Sequence, residues 1–158
     1  MLIFTNTKKV WRLDTQGDYW ILHLKTKSLS KIGQAQPSSS LRFTKFSPDG
    51  KKVAYVSEFD LFVEDVAQHT VTRLTTDGSR RTINGTFDWA YEEEFSCRDG
   101  FQWSPDSKQV SFWKLDATKI RDFFMINNTD SVYSKIVPVE YPTAGQSPSP
   151  AKIGVCGL

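Results

Sequence analysis

The feature that most constrains this chain is that it repeats itself. Three segments align without gaps: GDYWILHLKTKSLSKI (17–32), FDLFVEDVAQHTVTRL (59–74) and RDFFMINNTDSVYSKI (121–136). Each opens on an aspartate, Asp18, Asp60 or Asp122, followed by an apolar run and a polar turn. Each closes on an apolar or aromatic residue with a basic residue two places on: Leu29 and Lys31, Val71 and Arg73, Tyr133 and Lys135. Short β-prone runs separated by a polar turn read as two antiparallel strands. A fixed repeat of such units means an array in which each unit buries its apolar faces against its neighbours.

A second repeat lies upstream of the last two segments. FTKFSPDGKKVAYV (43–56) matches FQWSPDSKQVSFW (101–113), with an aromatic residue, Ser, Pro, Asp and then Gly or Ser before a lysine. Proline cannot donate to a central sheet ladder, so Ser-Pro-Asp-Gly marks a tight turn between strands. The unit is then strand, Ser-Pro-Asp turn, strand, short loop, strand, polar turn, strand. That is a four-stranded antiparallel blade, and the fold class expected is all-β: a partial β-propeller. LIFTNT (2–7) resembles the second strand of one blade and KIGVCGL (152–158) the first strand of another. The chain should therefore hold about two complete blades plus parts of their neighbours. Closed propellers have about 4–8 blades, so this chain reads as a piece of a longer protein.

The composition agrees with a packed domain and removes several function classes. Of the 158 residues, 39% are hydrophobic and 13% aromatic, which supplies a core. A net charge of +2 with interspersed signs offers no basic stripe for nucleic acid. No apolar run is long enough to cross a membrane as a helix, and the N-terminus lacks the basic and apolar stretches of a signal peptide. Cys97 and Cys156 form no metal-binding pattern and read as unrelated thiols. No metal and no cofactor is called for. The sequons at Asn84 and Asn127 matter only in a secreted eukaryotic protein. GQAQPSSS (33–40) and SPSPAK (147–152) read as loops between strands.

The repeat is irregular in one informative place. The first two strand pairs start 42 residues apart and the next two 62 apart. Fifteen of the additional residues fall between Leu74 and Phe101, five between Val110 and Asp122. Repeat proteins place function on such insertions. The insertion, TTDGSRRTINGTFDWAYEEEFSCRDG (75–100), contains DWAYEEEF (88–95). In a strand, Glu92, Glu93 and Glu94 would alternate between faces. Adjacent carboxylates converge only on a helical turn or irregular loop, and such a pair suits a compact cation. A primary ammonium offers three donors to their acceptor positions. Trp89, Tyr91 and Phe95 could partly desolvate the pair and strengthen each contact. Taken alone, the three glutamates read rather as a solvated charge run than as a site.

NGTFDWAYEEEF (84–95), FQWSPDS (101–107) and VPVEYPTAGQ (137–146), in this order and at this spacing, resemble the propeller domain of the dipeptidyl peptidase IV family of serine exopeptidases. The resemblance extends over the whole chain and implies that residues 1–158 are part of an N-terminal β-propeller. It also implies site residues. The last two glutamates of the run, here Glu93 and Glu94, would hold the free amino terminus of a peptide substrate, with Glu92 structural and Trp89 and Tyr91 supporting. Arg12, in KKVWRLD (8–14) between the second and third strands of the first partial blade, would contact a substrate carbonyl. A guanidinium fork suits a carbonyl beside a carboxylate.

The resemblance further implies a catalytic α/β-hydrolase domain in the parent protein, a possible homodimer, and a parent that is exported or membrane-anchored. No catalytic residue is expected within the chain. No Gly-x-Ser-x-Gly elbow occurs, and GQSPS (145–149) is a proline-broken loop. His23, placed in a strand, and His69, in a hairpin turn, read as ordinary histidines. The expected function is the substrate-binding segment of a serine dipeptidyl aminopeptidase that removes N-terminal X-Pro dipeptides. The alternative is a non-catalytic propeller scaffold from an inactive relative.

Overall fold

A computed structural model describes residues 1–158. The chain forms an open array of antiparallel sheets with one six-residue helix. Strands β1 (Leu2–Val10), β2 (Leu13–Leu22) and β3 (Leu29–Lys31) make a first, partial blade. Strands β4 (Leu41–Phe46), β5 (Lys52–Ser57), β6 (Asp60–Asp65) and β7 (Val71–Arg73) follow as one complete meander. A short pairing of β2 with β4 joins the two. The rest of the chain comprises β8 (Thr82–Asn84), α1 (Trp89–Glu94), β9 (Phe101–Trp103), β10 (Gln109–Asp116), β11 (Asp122–Asn127), β12 (Lys135–Glu140) and β13 (Ala151–Gly157).

The period-two geometry of β5 and β6 explains why their sequence is apolar throughout rather than alternating. Val53, Tyr55 and Phe62 pack with Leu41 of their own blade and with Ile21 and Ile32 of the preceding one. Ala54, Val56, Leu61 and Val63 point the opposite way and pack with Phe101, Trp103, Val110 and Phe112 of the next. Each middle strand thus has both faces covered, as blade-on-blade stacking requires.

The two sequence repeats have separate physical causes. In the Ser-Pro-Asp turns, the Ser47 hydroxyl donates to Asp49 at 2.6 Å and accepts the Lys52 amide at 3.0 Å. Ser104 does the same with Asp106 at 2.6 Å and the Gln109 amide at 2.9 Å. Serine and aspartate therefore close the hairpin with their side chains, which is why the triplet recurs. The Asp-to-basic spacing pins the third strand of a blade to its fourth. Asp18 meets Lys31 at 3.1 Å, and Asp60 pairs with Arg73.

The third copy departs from this pattern, and with it the expected assignment of strands. Residues 121–136 do not add the third and fourth strands of the last blade. Instead β11 and β12 pair only with each other, as a separate hairpin. Residues 152–158 do not begin another blade: β13 takes the vacant edge of β10, from Gln109↔Gly157 to Leu115↔Ala151. The charge pairing changes with it. Asp122 is held by Arg80 at 2.9 Å and Arg81 at 2.8 Å, both on the insertion, rather than by Lys135. The lengthened β10 also pairs with β8, and the chain leaves the sheet through the turn Ala117–Ile120. The hairpin projects as an arm with both faces open, and Ile126 is 72% exposed.

Smaller expectations also meet the structure. His23 sits just past β2 rather than in it, and Cys97 and Cys156 are free thiols. Asn84 is fully buried and donates to Asp60 and Asp77, so its sequon is closed to a glycan. No helix is long and apolar enough to cross a membrane.

Asp18 supplies a pH prediction. Burial pushes its carboxyl up, but hydrogen bonds from Asn6, the Ser39 amide and Lys31 outweigh this and hold it at about 2. A depressed carboxyl stabilises the fold above its unfolded value of about 4 and loses that contribution as pH falls from there toward about 2. With Lys31 partly open to solvent, the loss is discounted to about 1 kcal/mol. Thermal midpoints between about pH 7 and pH 2 should fall less steeply in Asp18→Asn than in the unaltered protein. Parallel curves would show that Asp18 does not carry this sensitivity.

Candidate substrate-binding site

The insertion is a loop sealed at its neck. The Gly100 amide donates to the Gly85 carbonyl at 3.1 Å, and a Cβ on Gly100 would meet the Gly85 carbonyl carbon at 2.8 Å. Gly85 itself adopts φ +73° against Val56, where a side chain would be both strained and crowded. Between these glycines the chain makes its one helix.

Asp88 is the N-cap of α1: its backbone is extended and its Oδ1 accepts the Tyr91 amide at 3.1 Å. The helical turn sends the three consecutive glutamates to three environments. Glu92 points inward, with its side chain 1% exposed, and meets Arg42 of β4 at 3.2 Å. Arg42 also donates to Thr15 at 3.2 Å. Burial pushes the Glu92 carboxyl up and the Arg42 guanidinium down, and each partly restores the other's charge. Glu93 is paired with Arg12, although their side chains are 8% and 83% exposed. Glu94 is exposed and enters no ion pair or side-chain hydrogen bond.

Arg12 comes from the tip of the β1–β2 hairpin, where Val10 pairs with Leu13 and only Trp11 and Arg12 form the turn. Trp11 adopts φ 56°, a left-handed conformation that costs a bulky residue energy. Register shifts near Lys8 bend the hairpin. The tip therefore presents Arg12 to Glu93 across a large sequence separation.

The aromatic residues of the motif grip the body of the protein. Trp89 packs against Tyr141 with ring centroids 4.3 Å apart and the ring planes tilted by 40°. Tyr91 packs between Phe87 and Phe95 and donates its hydroxyl to the Ser149 carbonyl at 2.9 Å. Phe95 is largely exposed. Two hollows flank the helix. One, of about 410 Å³, is lined by Trp11, Arg42, Asp88, Trp89 and Glu140; the other, of about 380 Å³, lies between Glu94 and residues 141–148.

Arg12 and Glu93 thus form one ion pair at the edge of the helix, and Glu94 follows one residue along as an exposed carboxylate. The last turn of α1 carries no basic residue, so the negative end of the helix dipole adds to the two carboxylates. A carboxylate has about four acceptor positions, and those of the exposed, unpaired Glu94 are open to a cation. No cluster of three or more His, Cys, Asp or Glu side chains has the geometry to hold a metal.

Several residues that build the site lacked an assigned role in the sequence reading. Arg42 is a charged residue inside the apolar strand LRFTKF, and an arginine flanked by Leu41 and Phe43 is itself a signal of a buried partner. Asp88 immediately before a helical turn is an N-cap signature. Tyr141 and Ser149 carry no local signal, because what they touch is set by the path of the arm.

A family model described as the dipeptidyl peptidase IV (DPP IV) N-terminal region matches residues 1–158. A protein named probable dipeptidyl-aminopeptidase B in Arthroderma gypseum is 29% identical over 162 residues, covering 95% of this chain and 18% of that protein. The dipeptidyl aminopeptidase B of Saccharomyces cerevisiae is 28% identical over 155 residues, with the same coverage of 95% and 18%. The crystal structure of Porphyromonas gingivalis dipeptidyl peptidase 4 superposes with a TM-score of 0.91 at 25% identity, over 99% of this chain and 22% of that one. The chain spans about a fifth of the length of these relatives.

Proposed function

Since the chain belongs to the family of dipeptidyl peptidase IV N-terminal regions, we propose that it is the substrate-binding part of a serine-type dipeptidyl aminopeptidase acting on X-Pro peptides. In this reading Glu93 and Glu94 bind the free amino terminus of the peptide. Arg12 fixes Glu93 and donates to a substrate carbonyl. Cleavage belongs to an α/β-hydrolase domain of the parent protein. The observation that carries the reading is the meeting of Arg12 with Glu93, beside an unpaired Glu94, on a surface loop.

The chemistry follows from charge and distance. An ammonium held at one fixed point places the bond two residues along at a constant position, where a nucleophile can be stationed. The loop then works as a ruler, and its binding energy appears as correct orientation of the reacting bond. A peptide without the amine meets two carboxylates that it must desolvate without compensation, so internal sequences are rejected. Glu92 takes no part in this, being committed to Arg42.

The test uses the full-length protein and a chromogenic X-Pro substrate with a free or an acetylated amino terminus. The free substrate should be cleaved and the acetylated one left almost untouched, since acetylation removes the charge and two donors at once. Equal cleavage of both would remove the basis for an amine site.

A further inference from the structure

Helix α1 has six residues, and isolated helices shorter than about 12 residues do not hold together in water. The position of Glu93 and Glu94 is therefore set by what grips the helix from outside. One grip is the core side, through Ala90 and the Glu92–Arg42 pair. The other comes from residues 141–149, the segment that returns from the β11–β12 arm to β13. Its first residue, Tyr141, makes tilted ring contacts with Trp89 at 4.3 Å and with Phe123 of β11 at 5.7 Å. Near its other end, Ser149 donates its hydroxyl to Asp88 at 2.5 Å and its carbonyl accepts the Tyr91 hydroxyl. Asp88 is thus both the cap of α1 and the anchor of the returning segment.

From this geometry we infer that Tyr141 is a positioning residue for the amine-binding carboxylates, linking the base of the arm to the first turn of α1. The inference rests on the amine-site reading proposed above. The row Phe123, Tyr141, Trp89 is continuous from arm to helix. The base of the arm is rigid, because Arg80 and Arg81 hold both Asp122 at its start and Glu140 at its end. Glu140 immediately precedes Tyr141, so the ring leaves a fixed point. Removing the ring frees Trp89 and lets the helix shift against Arg12. The contact is made by the ring alone: the Tyr141 hydroxyl has no hydrogen-bond partner.

The experiment compares Tyr141→Ala, Tyr141→Phe and Glu93→Gln in the full-length enzyme, with KM, kcat and thermal midpoint measured on the free-amine substrate. Tyr141→Ala should raise KM about tenfold, the scale of a small misplacement of a binding group, with kcat and thermal midpoint unchanged. Tyr141→Phe should restore the original KM. An unchanged KM in Tyr141→Ala overturns the positioning role. Glu93→Gln then tells the two failures apart: if it still raises KM the amine site stands, and if it does not both ideas fall. A Phe variant as impaired as the Ala variant, or a loss of kcat together with thermal stability, also overturns the inference, because the ring would then not be acting as a seat for α1.

Discussion

Glu92→Gln is expected to lower the unfolding free energy by about 3–5 kcal/mol, the usual consequence of removing one partner from a buried ion pair. The change is nearly isosteric, so packing is not what is lost. Glu92 is 1% exposed at its side chain and Arg42 11%, and the two meet at 3.2 Å. Without the carboxylate, the guanidinium stays in a place that has already stripped it of water, and its Nε has no partner even now. The sign of the pH effect is opposite to that of Asp18. Burial lifts Glu92 above the ordinary carboxylate range, so acidification does not strip stability through this group as it does through Asp18. The measurement is the thermal midpoint of the full-length protein carrying Glu92→Gln, and of the double variant Glu92→Leu with Arg42→Met. The double variant should recover most of the loss, since it removes both charges and leaves apolar groups of similar size. If Glu92→Gln leaves the midpoint unchanged, the pair is not buried in the whole protein.

The blade architecture was legible because it rests on local chemistry. Ser47 and Asp49 close their own turn, and so do Ser104 and Asp106. Asp18 with Lys31 and Asp60 with Arg73 close strand pairs whose members lie only 13 residues apart in the chain. The third repeat looks the same in sequence and behaves differently. What decides its fate is whether Asp122 finds Lys135 or the pair Arg80 and Arg81, and that choice is made by tertiary placement. Edge pairing of β10 with β13 was likewise hidden, since a strand's own sequence does not name its neighbour. At the site, the motif identified which residues to examine but not how they divide. Three adjacent glutamates are chemically identical, and only the phase of a helical turn begun by Asp88 separates Glu92, held by Arg42, from Glu93, held by Arg12, and from the exposed Glu94. Arg12 is recognisable as a loop arginine, whereas its meeting with Glu93 depends on the left-handed turn at Trp11.

The same helix yields a contrasting result one residue along. On the amine-site reading proposed above, Glu93→Gln in the full-length protein should cut kcat/KM on the free-amine substrate about a hundredfold, because truncating one side of a desolvated charged hydrogen bond costs about 2–5 kcal/mol and each tenfold corresponds to about 1.4 kcal/mol. Thermal stability should hardly move, since an ion pair whose arginine is 83% exposed contributes about 0–1 kcal/mol to folding. Discrimination between free and acetylated substrate should shrink by the same factor as the activity, as the lost interaction is with the amine itself. Arg12→Ala tests the other half of the pair. It leaves Glu93 without its anchor and removes a carbonyl donor, so it should weaken the free substrate less than Glu93→Gln. Because Arg12 also anchors Glu93, the double variant should lose less than the sum of the two single losses. Full additivity of the two losses would mean that Arg12 and Glu93 act at separate places. An unaltered kcat/KM in Glu93→Gln would return Glu93 and Glu94 to the status of a solvated charge run. Loss of stability in Glu92→Gln with activity otherwise retained, set against loss of activity in Glu93→Gln with stability retained, would divide the proposed roles of the two glutamates by experiment as the helix separates them in space.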